Sequence, residues 1–240
     1  MNIVARLTNR FADSLLEFIY PPFCISCNRY LSDGRQKVCD LCWDSIQKIT
    51  TGHPLFLDTN NKLLEAGFLS GLVSTFIFEK EGAFQNIAHY LKYRGYESLG
   101  VELGRKLGST MNEWNVRADA LVPIPLHKTK LRERGYNQAE MIARGISEVT
   151  HIPVDVKSVH RRRHTQTQTK LNLEERKKNM EEAFEVSAQV SSQIEGKTCL
   201  IVDDVITTGA TINSCAEVLL KNGASKVLAG SAALAQKGTF

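Results

Sequence analysis

The sequence predicts an α/β protein: a mostly parallel sheet flanked by helices, preceded by a helix and a small cysteine-bearing module. Three observations carry the prediction. From Gly71 onward, apolar runs of strand length alternate with helical periodicities, the pattern of successive βα units. Two of those runs, Ala120–Ile124 and Thr198–Val202, are largely apolar without polar alternation, as strands covered on both faces are. Ahead of them stand four cysteines in two CxxC pairs, Cys24, Cys27, Cys39 and Cys42.

Size and composition set the frame. The chain has 240 residues, 42% hydrophobic and 23% charged, room for one domain with an appendage or two small domains. Those values exclude a mainly disordered chain and a collagen-like repeat. No stretch approaches the ~18 uninterrupted apolar residues of a membrane helix, so no integral membrane segment is expected. Arg6, Arg10, Asp13 and Glu17 interrupt the amino-terminal apolar runs, so a signal peptide is not expected either, and the expected setting is cytoplasmic. Net charge is +4, but residues 126–178 carry thirteen Lys/Arg against six Asp/Glu. A positive excess held in under a quarter of the chain suggests a local anionic partner.

The elements follow in order. Val4, Leu7, Phe11, Leu15 and Phe18 recur at three- and four-residue steps, one apolar stripe of an amphipathic helix over 1–20, ended by Pro21-Pro22. The stripe suits packing on the adjoining module or the main body. Residues 21–50 form the cysteine module. A linker is expected between Ile49 and Leu63, where turn residues cluster, and the main domain runs from 63 to 240. Within it, Gly71–Glu79 reads as strand, and Ala83–Leu91 and Ser98–Asn115 as helices. Ala120–Ile124 is a short strand stopped by Pro125, and Asn137–Thr150 a helix. Phe184–Val186 and Thr198–Val202 are strands, Thr211–Asn222 a helix and Lys226–Ala233 the last strand.

The cysteine spacing, C-x2-C-x11-C-x2-C, places four thiolates within reach of one tetrahedral zinc ion. With all four positions filled by protein, the zinc is expected to be structural, supplying stability that a 23-residue segment cannot obtain from burial. Disulfide pairing competes and is disfavoured by the absence of an export signal. Cys199 and Cys215 read as ordinary buried cysteines.

The most informative segment is LIVDDVITTGATI, Leu200 to Ile212. An apolar strand is followed by paired acids, Asp203 and Asp204, and then by Thr207, Thr208, Gly209, Ala210 and Thr211 leading into a helix. Small residues entering a helix offer N–H groups and hydroxyls to a phosphate, and the helix dipole adds to them. Two carboxylates before that loop can accept hydrogen bonds from a sugar diol. A sugar phosphate is therefore the ligand the chemistry suggests. The nucleotide P-loop GxxxxGK[ST] and the dinucleotide motif GxGxxG are both missing from the sequence.

This block resembles the signature of type I phosphoribosyltransferases, which bind phosphoribosyl pyrophosphate (PRPP). The resemblance implies that Asp203 and Asp204 hold the ribose 2- and 3-hydroxyls and that Thr207 to Thr211 cradle the 5-phosphate. Lys92-Tyr93-Arg94-Gly95 then suits the pyrophosphate, where charge builds as the glycosidic bond breaks. Lys128, Lys130, Arg132 and Arg134 lie between strand and helix, where these enzymes carry a mobile loop that closes over the pyrophosphate.

Several further stretches narrow the resemblance: the VPIP strand, Arg132 to Gln138, Thr165 to Gln168, and VDDVITTGAT. Together with the four-cysteine module they resemble the ComF family, the ComFC/GntX-like proteins. Tyr96-Glu97 departs from the pattern, in which an acid directly follows the glycine at Gly95. The family implies a type I phosphoribosyltransferase-like fold, PRPP with Mg, and a part in natural transformation. It also implies contact with incoming single-stranded DNA and with DNA-uptake proteins.

Two classes of function remain open at this stage. One is transfer of ribosyl-5-phosphate to an unknown acceptor with release of pyrophosphate; no residue stands out as a catalytic general base. The other is a non-catalytic, PRPP-regulated single-stranded-DNA-binding factor, or a PRPP-sensing regulator. The basic cluster Arg161, Arg162, Arg163 and Lys170 serves an acceptor hood, a nucleic-acid track or a solvated face, and Tyr136 and His164 could stack on a base.

Overall fold

The computed structural model describes residues 22–32, 36–93, 96–161, 184–187 and 194–236. In chain order the elements are α1 (Asp40–Ser45), α2 (Pro54–Glu65), β1 (Leu72–Phe78), α3 (Ala83–Tyr93), α4 (Glu97–Glu113), β2 (Ala120–Pro123), α5 (Lys128–Arg134), α6 (Gln138–Thr150), β3 (Val159–Arg161), β4 (Phe184–Val186), β5 (Thr198–Ile206), α7 (Ala210–Lys221) and β6 (Lys226–Ala235).

Four strands form a parallel sheet in the order β1-β6-β5-β2. Every residue of β1 is buried, as a strand covered on both faces requires. Side chains alternate between two cores. Leu200, Val202 and Val205 of β5 face α3, α4 and α6 with Leu103 and Ile142. Cys199, Ile201 and Ile206 face α2 and α7 with Phe56, Leu63 and Leu219. Cys199 and Cys215 are buried, as expected of them.

Helices α4 and α6 meet backbone to backbone. A Cβ on Gly104 would stand 2.0 Å from the Ile142 carbonyl oxygen, and one on Gly145 2.0 Å from that of Val101. Only glycine permits that approach.

The sheet is uneven at one end, and this makes the site. β2 pairs with β5 only from Ala120–Cys199 to Pro123–Val202, because Pro125 follows. β5 continues to Ile206 along β6. Among the described residues, 203–206 therefore project past β2 unpaired on that edge. The sequence reading stopped the strand at Val202; the acids lie inside it instead.

Three other expectations are corrected. The expected linker contains helix α2: Pro54 occupies its first turn, the His53 ring nitrogen accepts from the Leu55 N–H at 3.2 Å, and Leu55, Phe56, Thr59 and Leu63 are buried. The turn-rich stretch was a helix start. The segment Lys128, Lys130, Arg132, Arg134, expected as a mobile loop, is helix α5, capped by His127 and ended by Gly135 in the left-handed conformation, with no buried residue. Tyr136, offered for base stacking, is 6% exposed and donates its hydroxyl to the Leu91 carbonyl. It is a core residue.

Strand β3 was not foreseen; it pairs antiparallel with β4, with Arg161 opposite Phe184. The expected amino-terminal helix, Arg94, Gly95, the side chain of Tyr93, and Arg162, Arg163, His164 and Lys170 lie outside the described residues.

Candidate functional site

The site gathers where β5 outruns β2. Asp203 Oδ1 accepts from the Asp204 N–H and Asp204 Oδ1 from the Val205 N–H, both at 2.8 Å. Each acid thus satisfies a backbone donor on a strand edge that β2 no longer covers. Burial, then the neighbouring Asp204 carboxylate, push the Asp203 carboxyl up to about 8. This pair resists carrying two negative charges, so a cation or a diol suits it.

One cation is already there. Lys92 Nζ lies 3.2 Å from Asp204 Oδ2, both side chains about four-fifths buried. Lys92 belongs to the last turn of α3, and that turn is held by the segment Arg134–Gln138. Tyr136 donates to the Leu91 carbonyl, Gln138 Nε2 approaches the same oxygen at 3.5 Å, and Arg134 bonds Gln138 Oε1 at 2.8 Å. Asn137 caps α6 and donates to the Ile124 carbonyl at 3.0 Å, tying this segment to the end of β2. The sequence singled out Lys92, Arg134 and the acids separately; the structure brings Lys92 onto Asp204.

The loop after β5 leads through Thr207 and Thr208, both exposed, to Gly209 at φ +73°, which caps α7. A left-handed residue at this turn favours glycine. Ala210 and Thr211 start the helix, so the N–H groups of its first turn follow directly on the two threonines. From β3, Arg161 stacks on the Phe184 ring, 5.6 Å from its centroid; burial pulls its guanidinium down from its ordinary value, and the Asp203 carboxylate opposes that. It was read as one charge in a basic run; the structure half-buries it against Phe184.

The four cysteines form a second centre. Their Sγ atoms all lie within 4.8 Å of one another, with Cys27 and Cys39 at 3.7 Å. Four sulfurs around one zinc at ~2.3 Å stand ~3.8 Å apart, so the set fits a tetrahedral metal ion. All six described cysteines are unpaired, against the disulfide alternative. Burial opposes ionisation of Cys24, yet the N–H groups of Cys39, Cys27 and Ser26 bring its thiol down to about 6; burial pushes Cys42 up to about 12. A divalent cation is what would let all four ionise together.

The module is docked rather than tethered. Trp43 is 4% exposed, stacks on Phe76 of β1, donates to Glu102 of α4 at 2.7 Å and lies under Lys106. Lys48 bridges antiparallel to Phe76, and the Ile49 N–H donates to the Thr75 carbonyl at 2.9 Å. Sequence reasoning missed Glu102, whose partner lies 59 positions away.

Residues 132–239 match the phosphoribosyl transferase domain. The chain is 38% identical over 109 residues to the DNA utilization protein YhgH of Escherichia coli K12, covering 45% of this chain and 46% of that one. It is 35% identical over 103 residues to competence protein ComFC of Bacillus subtilis 168, covering 43% and 39%. This chain resembles proteins named for DNA utilization and competence, through a region that includes its phosphoribosyl transferase domain. Those alignments span less than half the length of either relative. With the YhgH of Salmonella typhi, the match extends over 221 residues at 26% identity, 86% of this chain and 94% of that one. No helix among the described residues is long and apolar enough to cross a membrane.

Proposed function

We propose that the chain binds PRPP at the open end of β5 and transfers its ribosyl-5-phosphate to an acceptor. In this reading Thr207, Thr208, Gly209, Ala210 and Thr211 hold the 5-phosphate. Asp203 and Asp204 accept from the ribose hydroxyls. Lys92, with Tyr93, Arg94 and Gly95, receives the pyrophosphate. The observation that carries the reading is the Lys92–Asp204 contact at 3.2 Å, which joins the pyrophosphate segment to the ribose acids across 112 residues.

In the reaction, the bond from ribose C1 to the pyrophosphate oxygen breaks and a bond from C1 to the acceptor forms. Pyrophosphate leaves with the bonding pair. Magnesium bound with PRPP would neutralise part of that charge. Lys92 turns from Asp204 to the leaving group, and α5, with Lys128, Lys130, Arg132 and Arg134, follows the end of β2 and adds positive charge there.

The four cysteines hold zinc in a structural role, and the cytosol, which keeps thiols reduced, is the compartment that suits them. The relatives' names point to DNA use and competence, so handling of incoming single-stranded DNA together with uptake proteins is the proposed setting. Titration calorimetry with PRPP and magnesium tests the site, and pyrophosphate release across bases, amines and single-stranded DNA tests transfer. Absence of PRPP binding would overturn the reading.

A second reading is favoured by α5, which exposes Lys128, Lys130 and Arg132 and has no buried residue. In it the chain binds single-stranded DNA under control of PRPP without catalysis. Tight, salt-dependent DNA binding with no pyrophosphate release distinguishes it.

A further inference from the structure

The phosphate loop leans on a helix that the sequence presents as a linker. Leu63, 1% exposed, lies in the last turn of α2. A Cβ built on Gly209 would stand 2.2 Å from Leu63 Cδ2. The loop backbone therefore rests directly on the leucine methyl, at the residue whose left-handed turn aims the following N–H groups. Beside that contact a cavity of about 500 Å³ separates Thr207 and Thr208 from Leu55, Asp58 and Thr59. Support on this flank thus comes from Leu63 rather than from continuous packing.

Helix α2 is itself anchored. His53 and Pro54 fix its start, Phe56 packs edge-on against Trp114 at 5.4 Å, and the preceding Ile49 N–H bonds to β1. A brace must be more rigid than what it supports, and this helix is tied at several points.

We infer that Leu63 is a positioning residue for the phosphate loop, holding Gly209 and the N–H groups after it in the geometry that receives a phosphate. The inference rests on the PRPP reading for its ligand, but the contact exists without one. Shortening Leu63 opens room behind Gly209, so the loop samples more conformations and binding costs more ordering entropy.

The test compares Leu63→Ala and the milder Leu63→Val with Leu63→Met, which keeps the volume, and with Phe56→Ala, which damages the same helix away from the loop. Two readouts are taken on the full chain: Mg-PRPP affinity by calorimetry and amide hydrogen exchange at Thr208–Thr211. The expected result is a roughly tenfold loss of affinity and faster loop exchange in the alanine variant. The valine variant shifts both in the same direction, methionine restores both, and Phe56→Ala lowers thermal stability with loop exchange unchanged. Wild-type affinity and exchange in Leu63→Val and Leu63→Ala would overturn the inference, as would an equal effect of Phe56→Ala. If the wild type binds no PRPP, the proposed function fails, and the exchange comparison alone decides the role of Leu63.

Discussion

Lys92 Nζ and Asp204 Oδ2 stand 3.2 Å apart although 112 positions separate them in the chain. The cation proposed for the pyrophosphate faces the acid proposed for the ribose. Replacing it should therefore hurt twice. Lys92→Gln removes a contact to the leaving group and leaves Asp204 beside Asp203 without its counter-charge. Mg-PRPP affinity should fall about tenfold or more, or about 1.4 kcal/mol, by calorimetry. Unchanged affinity would separate Lys92 from the ligand.

The raised Asp203 carboxyl makes a prediction about pH. In the unfolded chain this acid ionises near 3.8; in the folded chain it holds its proton up to about 8. Between those values the folded state binds more protons, so stability falls as pH rises and levels off above the folded value. Thermal melts of the ligand-free protein should lose midpoint from pH 5 to 8. Asp203→Asn should flatten that slope and be the more stable chain at pH 8, while losing PRPP affinity. A wild-type midpoint that rises over this window would contradict it.

Metal removal should be read at Trp43. Its ring is buried against Phe76 and hydrogen-bonded to Glu102, close behind Cys42 in sequence. Chelation, or Cys39→Ser with Cys42→Ser, should expose the indole and shift its emission to the red. Loss of about 3 kcal/mol would lower the midpoint by about 6–12 °C. A metal-free protein with wild-type emission and midpoint would show that packing alone holds the module.

The glycine seam predicts a purely structural failure. Gly104→Ala places a methyl 2.0 Å from the Ile142 carbonyl, and the obstacle is backbone, not a movable side chain. Separating α4 from α6 should cost about 3 kcal/mol, the upper range of overpacking. Denaturant unfolding should show it, with the four-cysteine metal site intact.

Much of the site was legible where neighbours in sequence are neighbours in space. The run from Leu200 to Thr211 carries strand, acids and loop together, and the cysteine pairs carry their own spacing. The long-range contacts were not legible. Nothing near Lys92 announces Asp204, and nothing near Trp43 announces Glu102. The turn residues around Pro54 were ambiguous because proline begins helices as well as ending them. Tyr136 looked available because an aromatic in a basic segment reads as exposed, whereas its hydroxyl had a buried carbonyl to satisfy. The length of β5 could not be read because paired acids suggest a loop; an open strand edge gives them donors.

The β3–β4 pairing has a practical consequence. Arg161 and Phe184 are cross-strand partners, so the chain leaves this ribbon and returns to it at one point. Positions 161 and 184 therefore stand side by side although 23 positions separate them in the chain. A short turn could join them at little cost in closure entropy. A chain joined there would report what Arg162, Arg163 and Lys170 contribute to binding.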